Sequence, residues 1–293
     1  MNWDDARLFL AVARSGQMLS AARSLGINQA TLSRRMRVLE DSLQVRLLDR
    51  HPQGCHLTDE GRALMARLER AETEFLQAEG EIGGTARDVA GTVRIGAPDG
   101  FGTAFLAPRL PQFIQQYPQM SVQLVPVPRS FSLSQREADI AVMVGRPEQG
   151  QLIGRKLTDY SLSLYAADSY LANAPALAAP DDLRDHMLVG YVHDLIYASA
   201  LGFTERFWRG WRSRIEVASA LGQQEVVRAG GGVGVLHDYL VTPQMGLRRV
   251  LPELTVTLSY WLVYHPSLRG VRRVQVMADF LKDICHNIHV TSN

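Results

Sequence analysis

Apolar residues in the first 57 positions recur at helical spacing between glycines. Asn2 is placed to cap a helix running through Ser15. Asp4 and Asp5 suit its positive end, and Gly16 suits its left-handed stop. Ser20-Ala21-Ala22-Arg23-Ser24-Leu25 forms a second, compact helical segment ended by Gly26, whose alanines let a neighbouring helix come close. Asn28 caps a third helix, Gln29 to Glu40. Its Leu32, Met36 and Leu39 would face inward, while Ala30, Ser33, Arg34 and Arg37 fall on the opposite side at i, i+3, i+4, i+7. From Thr58, a candidate N-cap followed by Asp59 and Glu60, apolar residues step by 4, 3, 4, 3, 4 through Leu64, Leu68, Ala71, Phe75, Ala78 and Ile82. That is an a/d seam of nearly three heptads on a helix about 37 Å long. Gly80, Gly83 and Gly84 end it, and Thr85–Gly91 reads as a linker.

Beyond Gly91 the period changes from helical to alternating. Val93 and Ile95 mark a strand, Thr103–Tyr117 an amphipathic helix and Ser121–Val125 another strand, a βαβ unit of parallel type. Further strands are predicted at 139–144, 161–166, 187–191, 215–218, 233–236 and 258–264. A last helix, about 270–288, would bury Val274, Ala278, Leu281, Ile284 and Ile288. The prediction is a helical domain over 1–57, a linker and dimerisation helix with hinge over 58–90, and an α/β region over 91–293. The α/β region divides into lobe I (about 91–161 and 266–293) and lobe II (about 162–265).

The length of 293 residues agrees with about two domains. A net charge of +1 singles out no partner. Cys55 and Cys285 are too few for a disulfide scaffold or a cysteine-based zinc site. The uncharged run Leu110–Pro128 is broken by Pro111, Pro118 and Pro126, so it is no membrane span. Asp4, Asp5 and Arg7 are wrong for a signal peptide, so a cytoplasmic protein is expected. Gly230-Gly231-Gly232-Val233-Gly234 fails the dinucleotide pattern because residue 235 is valine, and close packing is the alternative. Cys285, His286 and His289 lie close together, but Cys285 falls on a buried stripe. No metal, no cofactor and no catalytic residues are expected.

Residues 20–40 match a helix-turn-helix, whose second helix needs small and polar residues to approach base edges and arginines to reach phosphate or guanine. Gln29, Ala30, Thr31, Ser33, Arg34 and Arg37 meet that need. A solvated helix face would look the same, and residues 20–57 carry only six arginines against Glu40, Asp41 and Asp49. The wider pattern discriminates. Phe9-Leu10-Ala11-Val12-Ala13, Ser20-Ala21-Ala22 with Leu25-Gly26, Asn28 through Arg35, Leu39-Glu40, Val45 through Arg50, and Leu57-Thr58-Asp59-Glu60-Gly61 occur in order. Gly91 through Gly96, Phe113 through Pro118 and Val226 through Gly234 follow. Together they resemble the LysR-type transcriptional regulators over essentially the whole chain. Ala30 stands where many members have proline, and Gln44 where a glycine is usual.

The resemblance implies an N-terminal all-α winged helix-turn-helix, a long linker helix, and a two-lobed effector domain like periplasmic binding proteins. It implies a bacterial transcription regulator, activator or repressor, and not an enzyme. It would bind double-stranded promoter DNA, RNA polymerase, a small-molecule effector and itself, as a homodimer or homotetramer. DNA contacts would come from the third helix, with Arg50 and the wing, His51 to His56, at the backbone or minor groove; Arg35 would serve folding or phosphate equally. The heptad seam would dimerise, packing onto its own chain being the alternative. Effector candidates are Pro98, Asp99, Gly100, Phe101 and Thr103, where Thr103 can cap a helix and Asp99 can bind ligand or only cap. Arg129, Ser130, Arg146, Phe203 and Thr204 follow by family position. An organic acid would find its counter-charge in Arg129 or Arg146.

Overall fold

The structure is a computed structural model that describes residues 1–51, 54–82, 89–127, 138–147 and 152–289. The chain divides into two compact units, one built on Met1–Gly83 and one on most of the remainder.

In the first unit, α1 (Trp3–Ser15) starts at a capping box in which Asn2 accepts from the Asp5 N–H, and stops at left-handed Gly16. The second helix, α2 (Met18–Leu25), begins two residues before the expected Ser20. Gln17 is extended and its carbonyl already accepts from Ala21, which lets Met18 turn into the core. The third helix, α3 (Gln29–Leu43), is capped by Asn28 as expected but runs one turn past Glu40. Gln44 ends it at φ +55, the left-handed position where a glycine would be free of strain. A hairpin of β1 (Leu48–His51) and β2 (Gly54–Leu57) forms the wing. The long α4 (Asp59–Ile82) follows, its first turn held by Thr58 Oγ1, which accepts from the Gly61 N–H. Gly61 lies so close to Leu47 that a Cβ would sit 2.2 Å from the Leu47 carbonyl oxygen. The core joins Phe9, Leu10, Leu32, Met36 and Leu39 to Leu47, Leu48 and Leu68.

The second unit is built on an eight-stranded mixed sheet. Its strands are β3 (Gly91–Ala97), β4 (Met120–Pro126), β5 (Ile140–Val144), β6 (Ile153–Ala167), β7 (Leu188–Gly190), β8 (Ile215–Glu216), β9 (Val233–His237) and β10 (Leu247–Tyr264), in the order β4-β3-β5-β10-β6-β9-β7-β8. All the expected strands are present, and β3 pairs parallel with β4 as the βαβ reading requires. Two are longer than expected: β6 starts at Ile153 and β10 at Leu247. They pair antiparallel along nearly their whole length and so pass through both lobes, with β5 flanking β10 and β9 flanking β6. Alternation alone marked only the half of each that has a consistently buried face.

The helices of this unit are α5 (Leu110–Gln116), α6 (Asp168–Leu171), α7 (Thr204–Phe207), α8 (Ala220–Arg228) and α9 (Arg272–Cys285). Val274, Leu281, Ile284 and Ile288 are buried as expected, whereas Ala278 is only half-buried. The crossover from β3 does not begin at Thr103. A π-wound turn, Gly100–Leu106, starts directly after Asp99, and Thr103 is exposed in its middle and caps nothing. Gly102 permits this tight start, because a Cβ there would meet Pro126 at 2.7 Å and Ala97 at 3.3 Å. The expected linker residues 85–88 lie outside the described residues.

Candidate DNA-reading helix and effector cleft

On α3 the buried stripe turns the remaining face outward. Gln29, Ala30, Thr31, Arg34 and Arg37 are exposed and Ser33 is half-buried. Arg35 is differently engaged: it donates to Asp5 at 2.5 Å and to Asp4 at 3.0 Å, tying α3 to α1. These bonds raise the Arg35 pKa above its ordinary value, the hydrogen bond to Asp5 contributing most. Of the two roles open to Arg35, these ion pairs support folding. Arg34 and Arg37 thus stand on the same outward face as the small residues at the helix start, the combination that groove entry requires.

The wing is pinned by a residue the motif reading left without a role. Glu40 Oε1 accepts from the backbone N–H groups of Leu47 and Leu48 at 2.9 and 3.1 Å, and Oε2 lies 3.3 Å from Arg50. A carboxylate with two backbone donors fixes where the hairpin leaves α3. Arg50, exposed, is held beside the hairpin rather than extended, and the His51 and His56 rings flank the tip at 5.8 Å.

The seam of α4 splits in two. Leu64 and Leu68 pack into the winged domain's own core, where Leu68 retains 6% of its surface. The expectation that they face a second copy is corrected here: the alternative reading, packing on the same chain, holds for them. Arg14 reinforces that packing by bridging to Glu72 at 2.6 Å. Past Ala71, half-buried, the seam emerges. Phe75 is 56% exposed with Trp3 against one side at 4.5 Å, and Ala78 is exposed; the side chain of Ile82 lies outside the described residues.

In the second unit, the carboxyl ends of β3, β7 and β9 converge, the place where open α/β sheets bind ligands. Asp99, directly after β3, is buried and reaches the other lobe: Ser219 Oγ donates to its Oδ2 at 2.5 Å and the Leu221 N–H at 3.4 Å. Ser219 is itself the N-cap of α8. Asp99 therefore makes no capping bond to its own helix but serves the opposite lobe's helix N-terminus. A Cβ built on Gly100 would sit at ordinary contact distance, 3.4 Å, from Ala220 and Leu240.

Two residues beyond Asp99, Phe101 packs on Tyr260 at 4.8 Å and leads into a tyrosine cluster. Tyr160 and Tyr260 stack at 4.1 Å on β6 and β10, His237 stacks on Tyr160 at 5.3 Å, and Tyr239 meets Tyr160 edge-on at 6.1 Å. The Tyr239 and Tyr260 hydroxyls are 3.0 Å apart, whereas the Tyr160 hydroxyl is fully buried without a well-formed hydrogen bond. Burial raises Tyr191, Tyr197 and Tyr239 above the usual phenol range, and the Asp99 charge adds to the effect on all three. Burial also lowers His237 to about 4, so its ring is neutral at pH 7 despite Asp99. Tyr191, Tyr197, His237 and Tyr239 nonetheless keep some accessible surface. These four are partly exposed side chains of this junction.

The expected effector residues are distributed unevenly about it. Pro98, Asp99, Gly100 and Phe101 are all buried at this junction. Phe203 is 3% exposed and packs edge-on with Phe207, a core position; Thr204 starts α7 half-buried. Arg146 is exposed, 6.0 Å from the Trp261 ring. Arg129 and Ser130 lie outside the described residues. Sequence reasoning missed Tyr191, Tyr197, Ser219, His237 and Tyr239. The available signal was their shared position, each within a few residues of a strand's carboxyl end or a helix start.

A winged helix-turn-helix followed by a long helix and a two-lobed α/β domain defines a ligand-responsive DNA-binding regulator. The family described as bacterial regulatory helix-turn-helix protein, lysR family, matches residues 3–62, and the LysR substrate binding domain matches residues 86–285. The chain belongs to the LysR-type transcriptional regulators. It is 27% identical over 292 residues to the HTH-type transcriptional regulator PtxR of Pseudomonas aeruginosa, covering 97% of this chain and 93% of PtxR. It is 28% identical to the Mau operon transcriptional activator of Paracoccus denitrificans, over 92% and 91% of the two chains. The structure of CrgA, a LysR-type regulator from Neisseria meningitidis, superposes with a TM-score of 0.58 at 24% identity, over 98% of this chain and 100% of CrgA.

Proposed function

We propose that this regulator, a non-enzymatic cytoplasmic protein, pairs through the outer half of α4 and sets two copies of α3 into successive major grooves of a two-fold promoter site. The observation that carries the reading is the division of labour on α3. Arg35 is consumed by Asp4 and Asp5, while Arg34 and Arg37 stand exposed beside Gln29, Ala30 and Thr31. Arg50 and the wing then touch the sugar–phosphate backbone, a role that positions rather than specifies. Pairing is needed because a single small module makes few phosphate contacts, and a linked second module raises affinity through effective concentration. A small molecule bound between the lobes shifts the arrangement of subunits, and with it the contact to RNA polymerase, to the extent that it prefers one arrangement.

The test is selection of bound fragments from randomised DNA by the purified protein, with salt dependence measured on the winners. Two-fold sites with half-sites about one helical turn or a multiple apart are the expected product. Binding with a steep salt slope and no enriched sequence is phosphate attraction alone and would refute the reading.

A further inference from the structure

We propose that Asp99 is a built-in latch, holding the two lobes of the second unit closed on one another with groups that the chain itself supplies. This goes beyond the effector reading, since such a latch needs no effector. Asp99 stands directly after β3 in one lobe, is 8% exposed, and makes no capping bond to the turn that follows it. Its bonds run to the other lobe instead. Ser219 Oγ donates to Oδ2 at 2.5 Å and accepts from the Gly222 N–H at 3.1 Å, so the hydroxyl is fixed as a relay from the first turn of α8 to the carboxylate. The Leu221 N–H donates to the same Oδ2 at 3.4 Å. Two of the N–H groups that a helix start leaves without intrahelical partners are thereby answered, one directly and one through Ser219.

The first turn of α8 does not supply this charge itself. It contains no acidic residue, although a carboxylate there is favoured by the helix dipole; the residue that fills the role lies 120 positions before Ser219. The Asp99 charge also raises the Tyr191, Tyr197 and Tyr239 phenols, all of the second lobe, which sets the carboxylate among second-lobe groups. Beside the bond the lobes are near packing contact. A Cβ on Gly100 would sit 3.4 Å from Ala220 and from Leu240, so the space between them there is about one methyl group wide. Covalently the lobes are joined by β6 and β10, which pass through both. Strand connections of that kind permit hinge motion, and a charge-assisted hydrogen bond buried from water opposes it. An effector that opens the lobes has to break this contact first.

Hydrogen exchange on the full-length protein, read by mass spectrometry, tests this with Asp99→Ala, Asp99→Asn and Ser219→Ala. Asp99→Ala should raise exchange at least about tenfold, the equivalent of losing one hydrogen bond to a charged group. The increase should cover residues 219–222 and also 99–102 and 237–240, because both sides of the contact open. Asp99→Asn keeps an acceptor for Ser219 without the charge and should fall between Asp99→Ala and the wild type. Ser219→Ala removes the donor and leaves the carboxylate, and should reproduce the two-sided increase. Protection of β6 and β10 should stay as in the wild type, the sign that the variants are folded; the two conservative variants carry the test if Asp99→Ala does not fold. An increase confined to 219–222 would make Asp99 a helix cap alone and overturn the latch, as would no increase at all. Footprinting on the selected DNA site separates the latch from the effector reading. A two-sided increase with an unchanged footprint upholds the latch and refutes the coupling of the lobes to the subunit arrangement.

Discussion

Truncating Phe75 and Leu68 to alanine, one at a time, separates the two halves of α4. Leu68 is 6% exposed and packed in the winged domain's core. Leu68→Ala should therefore destabilise that domain by about 2–5 kcal/mol, the usual range for a buried leucine. Phe75 is 56% exposed. Since a phenylalanine buries about 150–250 Å² when fully covered, about 100 Å² remains for a partner, or about 2.5 kcal/mol per copy at 25 cal/mol/Å². In a symmetric dimer both copies lose that surface. Even a third of the two-copy sum, about 1.7 kcal/mol, weakens association more than tenfold. Within the monomer, Phe75→Ala forfeits only the tilted contact with Trp3, about 0.5–1.5 kcal/mol. Sedimentation equilibrium over a wide concentration range reads association, and urea titration reads stability. An unchanged dimer constant in Phe75→Ala, or unchanged stability in Leu68→Ala, would refute the division.

Other consequences are checked more simply. Arg34→Ala should lose about 1–3 kcal/mol of discrimination at one base position if the arginine reads a guanine, measured by competition between selected and mutated sites; Arg35→Ala should instead lower the unfolding midpoint. Glu40→Ala leaves the Leu47 and Leu48 N–H groups without their acceptor and should cost about 1–3 kcal/mol in urea unfolding. Gly61→Ala forces a Cβ against the Leu47 carbonyl and should destabilise by about 1–3 kcal/mol, read as a drop in thermal midpoint. The folded-state pKa of His237 is about 4, below the ordinary 6.5. The unfolded chain therefore binds the proton first, and the neutral ring's contribution is present above pH 6.5 and lost as pH falls toward 4. His237→Gln should flatten that part of the stability–pH curve, and an unchanged curve would remove His237 as its cause.

Local rules determined much of this protein in advance. Asn2, Asn28 and Thr58 cap helices because their side chains reach N–H groups two or three residues away. The outward face of α3 follows from where Leu32, Met36 and Leu39 must go. Those are properties of one turn of helix and need no partner. Strand existence was legible for the same reason, but the full extent of β6 and β10 was not, since their outlying halves are held by each other across the sheet rather than by alternation. Tertiary structure alone decided which arginine on α3 is spent on α1, which leucines of the seam are consumed by their own domain, and why Glu40 matters. It alone also brought Asp99, Ser219, His237 and the tyrosines together from positions up to 161 residues apart (Asp99 to Tyr260). A side chain's charge and shape are written in the sequence. Whether that charge is already answered depends on what the folded chain places beside it, and periodicity carries no information about that.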